Sequence, residues 1–151
     1  HSRTRQWRSK LSFMTAKITA AQLRRIRQAV ETVPFARLLG IELDEVGSGT
    51  ATLGLNVRDE LKQNHGVVHG GAIASLIDTA TAFAIISLLA PGERVTTVDL
   101  TISYLRPLTE GRVTASAKVL RAGRRLFIVS AEVFDHEGKL ATTALSTYIK
   151  L

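Results

Sequence analysis

The stretch His69-Gly70-Gly71-Ala72-Ile73-Ala74-Ser75-Leu76-Ile77-Asp78-Thr79-Ala80-Thr81-Ala82-Phe83-Ala84-Ile85-Ile86-Ser87-Leu88-Leu89 decides how this chain folds. From Ala72 to Leu89 it is apolar on nearly every side, and Pro91-Gly92 closes it. A helix of that kind must be buried on nearly every side. Its length also approaches the minimum for a membrane span. Asp78 stands inside it, however, beside Ser75, Thr79 and Thr81. A central Asp costs about 2.5–3.5 kcal/mol on insertion into a bilayer, so the stretch reads as the central helix of a water-soluble domain.

The flanking segments alternate with period 2. Downstream, Val98, Leu100, Ile102 and Tyr104 fall on one face of a first strand. Val113, Ala115, Ala117 and Val119 do so in a second, and Phe127, Val129, Ala131 and Val133 in a third. Ala144 to Ile149 make a fourth. The turns at Pro107 to Gly111, Ala122-Gly123 and Asp135 to Gly138 predict an antiparallel meander of these four. Upstream, Ile41 to Val46 and Thr50 to Val57 are two short strands joined by Gly47-Ser48-Gly49. A helix from Thr19 to Thr32 is expected ahead of them, since Thr19 and Gln22 have capping-box spacing. Pro34 ends that helix, and Pro34 to Gly40 should form a short helical turn that delivers Phe35 and Leu38 to the core. The expected class is α+β, with an antiparallel sheet wrapped round one long central helix.

A chain of 151 residues suits one domain, and 45% hydrophobic residues can fill a core. With no cysteine, disulfides, a thiol nucleophile and thiolate metal sites are excluded, and a reducing cytoplasm is the expected location. The net charge of +7 is uneven: Arg3, Arg5, Arg8 and Lys10 precede any acid, and from Met14 onward sixteen basic residues face thirteen acidic ones. Residues 1–16 read as a disordered basic extension, with Met14 as the expected native start, and 17–151 as the folded domain. A nucleic-acid or membrane-binding arm at 1–13 is the sharper alternative; neither a nucleic-acid partner nor a membrane span is expected.

Candidate chemistry gathers at the start and middle of the long helix. Gly70 and Gly71 open it although glycine is a poor helix former. Bare backbone there lets a ligand reach unpaired N–H groups at the positive end of the helix dipole, which suits an oxyanion. Close packing of helix against sheet is the plainer reading of the same glycines. Asp78 is the only ionisable side chain between His69 and Glu93. A carboxylate buried there needs a raised pKa or a specific partner, and such groups concentrate at functional sites. Gly70 and Asp78 are eight residues apart, about 12 Å along a helix. One carbonyl cannot touch both, so a working site would pair Asp78 of one copy with Gly70 of a two-fold mate. Gln63 and Asn64, in the loop before the helix, are amides able to orient water or a carbonyl, or plain turn residues. His69 and His65 have no carboxylate or third histidine at ligand spacing, so no metal site is expected. His69 is expected to fix the loop by hydrogen bonding.

The run Asn64-His65-Gly66-Val67-Val68-His69-Gly70-Gly71-Ala72-Ile73-Ala74-Ser75-Leu76-Ile77-Asp78 closely resembles the signature of the hotdog acyl-CoA thioesterases. It looks most like the phenylacetate-pathway and 4-hydroxybenzoyl-CoA branch, over roughly Phe35 to the C-terminus. The resemblance implies a hotdog fold, thioester hydrolysis and Asp78 as base or nucleophile. It implies Gly70 as oxyanion donor, Gln63 at the position of an orienting Asn or Gln, and a Ser or Thr from the other subunit. Thr97 is the candidate there, ahead of Thr96 and Thr81. For coenzyme A it implies the segment from Tyr104 through Arg106 and Pro107, and that near Arg121, Arg124 and Arg125. It further implies a homo-oligomer, dimer or tetramer, working without a cofactor. The acyl group should be apolar, aryl or medium to long chain, facing Ala82, Phe83 and Ile86. Rival expectations are a non-catalytic acyl-CoA sensor and a hydratase or dehydratase on the same fold.

Overall fold

The structure, a computed structural model, describes residues 17–151. The expected extension at 1–16, with its alternative as a binding arm, lies outside the described residues.

Helix α1 (Ala20–Thr32) begins where the capping box placed it: Gln22 N–H donates to Thr19 Oγ1 at 3.1 Å, and Thr19 N–H to Gln22 Oε1 at 2.9 Å. Pro34 sits at the first position of α2 (Pro34–Leu39), which ends at Gly40 in the left-handed conformation. The side chains of α2 correct the sequence reading. Phe35 and Leu38 are 52% and 67% exposed, and Ala36 is buried in their place. So short a helix can turn only one edge inward, and that edge carries Ala36 and Leu39.

Strands β1 (Glu42–Gly47) and β2 (Thr50–Asn56) form a hairpin. After a single turn at Asp59–Leu61 comes α3 (Gly70–Ile86), then β3 (Val95–Tyr104), β4 (Arg112–Ala122), β5 (Leu126–Phe134) and β6 (Leu140–Lys150). The six strands make one antiparallel sheet in the order β1-β2-β4-β5-β6-β3, with α3 across its concave face. The expected meander holds only for β4, β5 and β6. Strand β4 pairs with β2, and β3 lies at the far edge against β6. The link from β3 to β4, Leu105 to Gly111 around Pro107, is no tight hairpin turn. It passes beneath the start of α3, where the Leu108 carbonyl accepts from Val68 N–H at 2.8 Å.

The core lies between sheet and helix. Leu53, Leu55, Val113, Ala115, Val119, Val129 and Val133 meet Leu76, Ile77, Ala80 and Ala84, all buried. One stripe of α3 is only half covered by its own sheet: Ser75, Asp78, Thr79, Ala82 and Ile86. Among the described residues no helix is long and apolar enough to cross a membrane.

The register of β3 departs from simple alternation. Thr97 pairs with Tyr148 and Asp99 with Thr147, leaving Val98 as an extra residue in a bulge. Val98 is consequently 58% exposed, and Thr97, not Val98, shares the inward face with Leu100, Ile102 and Tyr104.

Candidate active site

Strand β3 runs back along α3 and touches it at two places. At one end the Thr97 hydroxyl donates to Asp78 Oδ1 at 2.8 Å. At the other the Tyr104 hydroxyl donates to the Gly70 carbonyl at 2.7 Å. The two groups singled out on the helix are thus each held by the same strand.

Around Asp78 the partners are hydroxyls, with no arginine or lysine among them. Tyr148, cross-strand neighbour of Thr97, brings its hydroxyl 3.1 Å from Asp78 Oδ1 and 2.8 Å from the Asp78 main-chain carbonyl. The same hydroxyl lies 2.8 Å from Thr81 Oγ1. Oδ1 therefore has two donors, whereas no hydrogen bond from the described residues reaches Oδ2. Such an arrangement fixes a carboxylate by one oxygen and leaves the other for chemistry. Burial pushes the Tyr148 phenol up to about 12, with the nearby Asp78 charge adding to the rise and the Thr81 hydroxyl opposing it. Tyr148 is a neutral donor at any ordinary pH.

At the helix start, His69 is the N-cap. Its Nδ1 accepts from Gly71 N–H at 2.8 Å, which places the ring proton on Nε2. The ring is thereby tied to the first turn of the helix. The N–H groups of Ala72 and Ile73 both donate to the His69 carbonyl, at 2.9 and 3.3 Å. Of the first-turn donors, only Gly70 N–H has no acceptor among the described residues. The glycines also meet close neighbours. A Cβ on Gly70 would lie 3.2 Å from the Tyr104 ring and hydroxyl, and one on Gly71 3.0 Å from His69 Nδ1. Close packing is therefore one function of both.

The loop before the helix is a tight reversal in which Gln63 N–H donates to Val67 O at 2.8 Å and Gly66 takes a positive φ. Gln63 and Asn64 are exposed at its tip. His69 N–H donates to Leu61 O at 2.7 Å and anchors the far side. Arg106 and Pro107 follow Tyr104 and are exposed near the start of α3. Arg121, Arg124 and Arg125 are exposed at the β4–β5 hairpin. Arg125 neighbours Lys150, which pairs with Val95, so these arginines sit at the opposite end of β3. Nine residue steps along the strand separate the two clusters by about 30 Å. One chain does not bring them together.

Sequence reasoning passed over Tyr148. The available signal was its inward parity with Ala144 and Ser146: a polar-tipped ring on a buried face needs a hydrogen-bond partner there. Among the described residues, no three of His, Cys, Asp and Glu are grouped as metal ligands.

Comparison with known proteins agrees with this geometry. Residues 65–142 match the model of the thioesterase superfamily. The medium/long-chain acyl-CoA thioesterase YigI of Salmonella typhimurium is 31% identical, over 90% of this chain and 99% of its own. The structure of the PaaI protein of E. coli, from the phenylacetic acid degradation operon, superposes with a TM-score of 0.81 at 25% identity, covering 89% of this chain and 96% of that one. A thioesterase from Haemophilus influenzae superposes with a TM-score of 0.80 at 26% identity, covering 89% and 94%. A six-stranded antiparallel sheet curled round a long helix, the hotdog fold, is thus joined to an acid on that helix and, at its start, an N–H with no acceptor among the described residues, and the chain belongs to the thioesterase superfamily.

Proposed function

We propose that the protein hydrolyses acyl-coenzyme A thioesters with an apolar acyl group, giving the carboxylic acid and free coenzyme A. The observation that carries this is Asp78: one carboxylate oxygen is held by Thr97 and Tyr148, while among the described residues the other has no donor and the first N–H of its helix has no acceptor. Gly70 N–H stabilises the oxyanion as the carbonyl is attacked. Asp78 either takes the proton of an attacking water or adds to the carbonyl itself. Collapse of the tetrahedral species expels the thiolate, which takes up a proton as coenzyme A; where Asp78 has added to the carbonyl, water then hydrolyses the resulting mixed anhydride, releasing the carboxylic acid and restoring the Asp78 carboxylate. Gln63 orients the carbonyl or the water, and no metal or cofactor takes part. The named activity of the Salmonella relative favours medium to long acyl chains.

The site is completed by a second copy. Strand β3 is an edge strand, with no strand among the described residues paired to its outer side; it carries exposed Val98 and Tyr104, and Leu105 just beyond its end is exposed too. Asp78 lies beside one end of it and Gly70 beside the other. If two β3 strands pair antiparallel about a two-fold axis, Asp78 of one copy comes toward Gly70 of its mate. The same operation sets Arg121, Arg124 and Arg125 of one copy at the end where Arg106 of the other lies. That composite basic surface suits the nucleotide phosphates of coenzyme A. A homodimer in the cytoplasm, or a tetramer built from it, is the working form.

The test is release of free thiol across a panel of acyl-CoAs, wild type beside Asp78→Asn. Hydrolysis by the wild type, lost in Asp78→Asn while acyl-CoA binding persists, supports the reading. Equal activity of the two overturns it.

A further inference from the structure

We infer that Tyr148 is a positioning residue for the reaction, clamping the Asp78 side chain to its own helix so that Oδ2 faces the substrate. This rests on the reading of Asp78 as the catalytic acid. The geometry is specific. A single phenol lies within hydrogen-bonding distance of the Asp78 carbonyl at 2.8 Å and of Asp78 Oδ1 at 3.1 Å. A donor that bridges the main-chain and side-chain oxygens of one residue restricts both side-chain torsions of that residue. Free rotation of a half-buried carboxylate in the middle of a helix would otherwise present either oxygen, or neither, to a thioester.

Tyr148 is itself fixed. It is 2% exposed, and Thr81 Oγ1 lies 2.8 Å from its hydroxyl. Thr81 Oγ1 is held on the helix, 2.9 Å from the Ile77 carbonyl; when its one proton goes to the Tyr148 oxygen, the phenol's own proton is left for Asp78. The order of support is helix backbone, Thr81, Tyr148, Asp78. Thr97 closes the same carboxylate oxygen from the solvent side, being exposed where Tyr148 is buried. A tyrosine kept only to fill the core would need a partner for its hydroxyl, and Thr81 alone supplies one. The additional approach to Oδ1 is what a filling role leaves unexplained. The raised phenol pKa means this donor keeps its proton throughout the working range.

The experiment is steady-state hydrolysis of one apolar acyl-CoA by wild type, Tyr148→Phe, Thr81→Val and Asp78→Asn, with a thermal melt of each. Phenylalanine keeps the ring and removes the clamp, so kcat should fall about tenfold or more while KM stays within about twofold, because a bond to a charged group is lost but substrate contacts are not. Thr81→Val, which loosens Tyr148 without removing it, should lower kcat by about threefold with KM unchanged. Wild-type kcat in Tyr148→Phe overturns the inference, as does a rise in KM at constant kcat. If Tyr148→Phe does not fold, Thr81→Val decides, and unchanged kcat there overturns it. Should Asp78→Asn hydrolyse as fast as wild type, it is the reading of Asp78 that fails; an inactive Asp78→Asn beside a fully active Tyr148→Phe overturns the clamp alone.

Discussion

Replacing Thr97 by valine removes one oxygen and adds a carbon of similar size. The residue is exposed on an edge strand, where valine is at least as good a strand former. The melting temperature should therefore fall by only a few degrees, the strand propensity of valine offsetting part of the lost hydrogen bond. What is lost is the 2.8 Å donation to Asp78 Oδ1. A hydrogen bond to a charged group contributes roughly 1.5–3 kcal/mol, and competition from water at this exposed position lowers the useful part to about 1–2 kcal/mol. If that stabilisation orients the carboxylate during attack, kcat falls about 5- to 30-fold. KM should change little, since Thr97 holds the acid and not the nucleotide. Thr97→Ser keeps the hydroxyl and should stay within about threefold of wild type. The assay is thiol release under saturating substrate. Thr97→Val with wild-type kcat, beside an inactive Asp78→Asn, refutes the idea that donors on Oδ1 matter. Combined with Tyr148→Phe the losses should be non-additive, because both hydroxyls act on one oxygen.

Mixing Asp78→Asn and Gly70→Val subunits, each nearly inactive alone, should restore about a quarter of wild-type activity after subunit exchange, since half the dimers are mixed and each has one intact site; no recovery refutes a shared site. Arg106→Ala and Arg124→Ala should each raise KM for acyl-CoA several-fold yet leave turnover of the matching acyl-pantetheine unchanged, for that substrate lacks the nucleotide phosphates; equal effects on both substrates refute the phosphate assignment. The buried Tyr148 phenol ionises at about 12 in the fold, against about 10 when unfolded. Its stabilising contribution is complete below pH 10 and is lost as pH climbs toward 12, by about 2–3 kcal/mol. Urea midpoints should fall over that window for wild type and less for Tyr148→Phe, and parallel declines refute it.

Legibility of the molecule in its sequence followed the strength of the local signal. The central helix was readable because its apolar pattern has no solvent side, and Asp78 because it is alone within that pattern. The cap of α1 was readable because Thr19 and Gln22 recognise each other across three residues. Strand neighbours were not, because alternation fixes which face a residue takes and says nothing of which strand lies beside it. The pairing of β3 with β6, in place of β4, is set by the distant demand that the sheet close over α3. The bulge at Val98 is invisible for a related reason: Thr96-Thr97-Val98-Asp99 carries no glycine or other local mark, and only the ladder with β6 reveals the extra residue. That one slip exchanged Val98 for Thr97 on the inner face. Phe35 and Leu38 failed because so short a helix offers too few turns for periodicity to name its buried edge.

The first turn of α3 is tied on both sides, by the His69 ring to one amide and by the Tyr104 phenol to one carbonyl. If Gly70 N–H is the oxyanion donor proposed above, a first turn held that way makes it preorganised: it stands ready before any thioester arrives and spends nothing on rearranging during attack. Choice among acyl groups then falls to the depth and shape of the wall they enter, and not to a closing movement. Engineering of chain-length preference should accordingly begin far from the helix start, at the positions that line that wall.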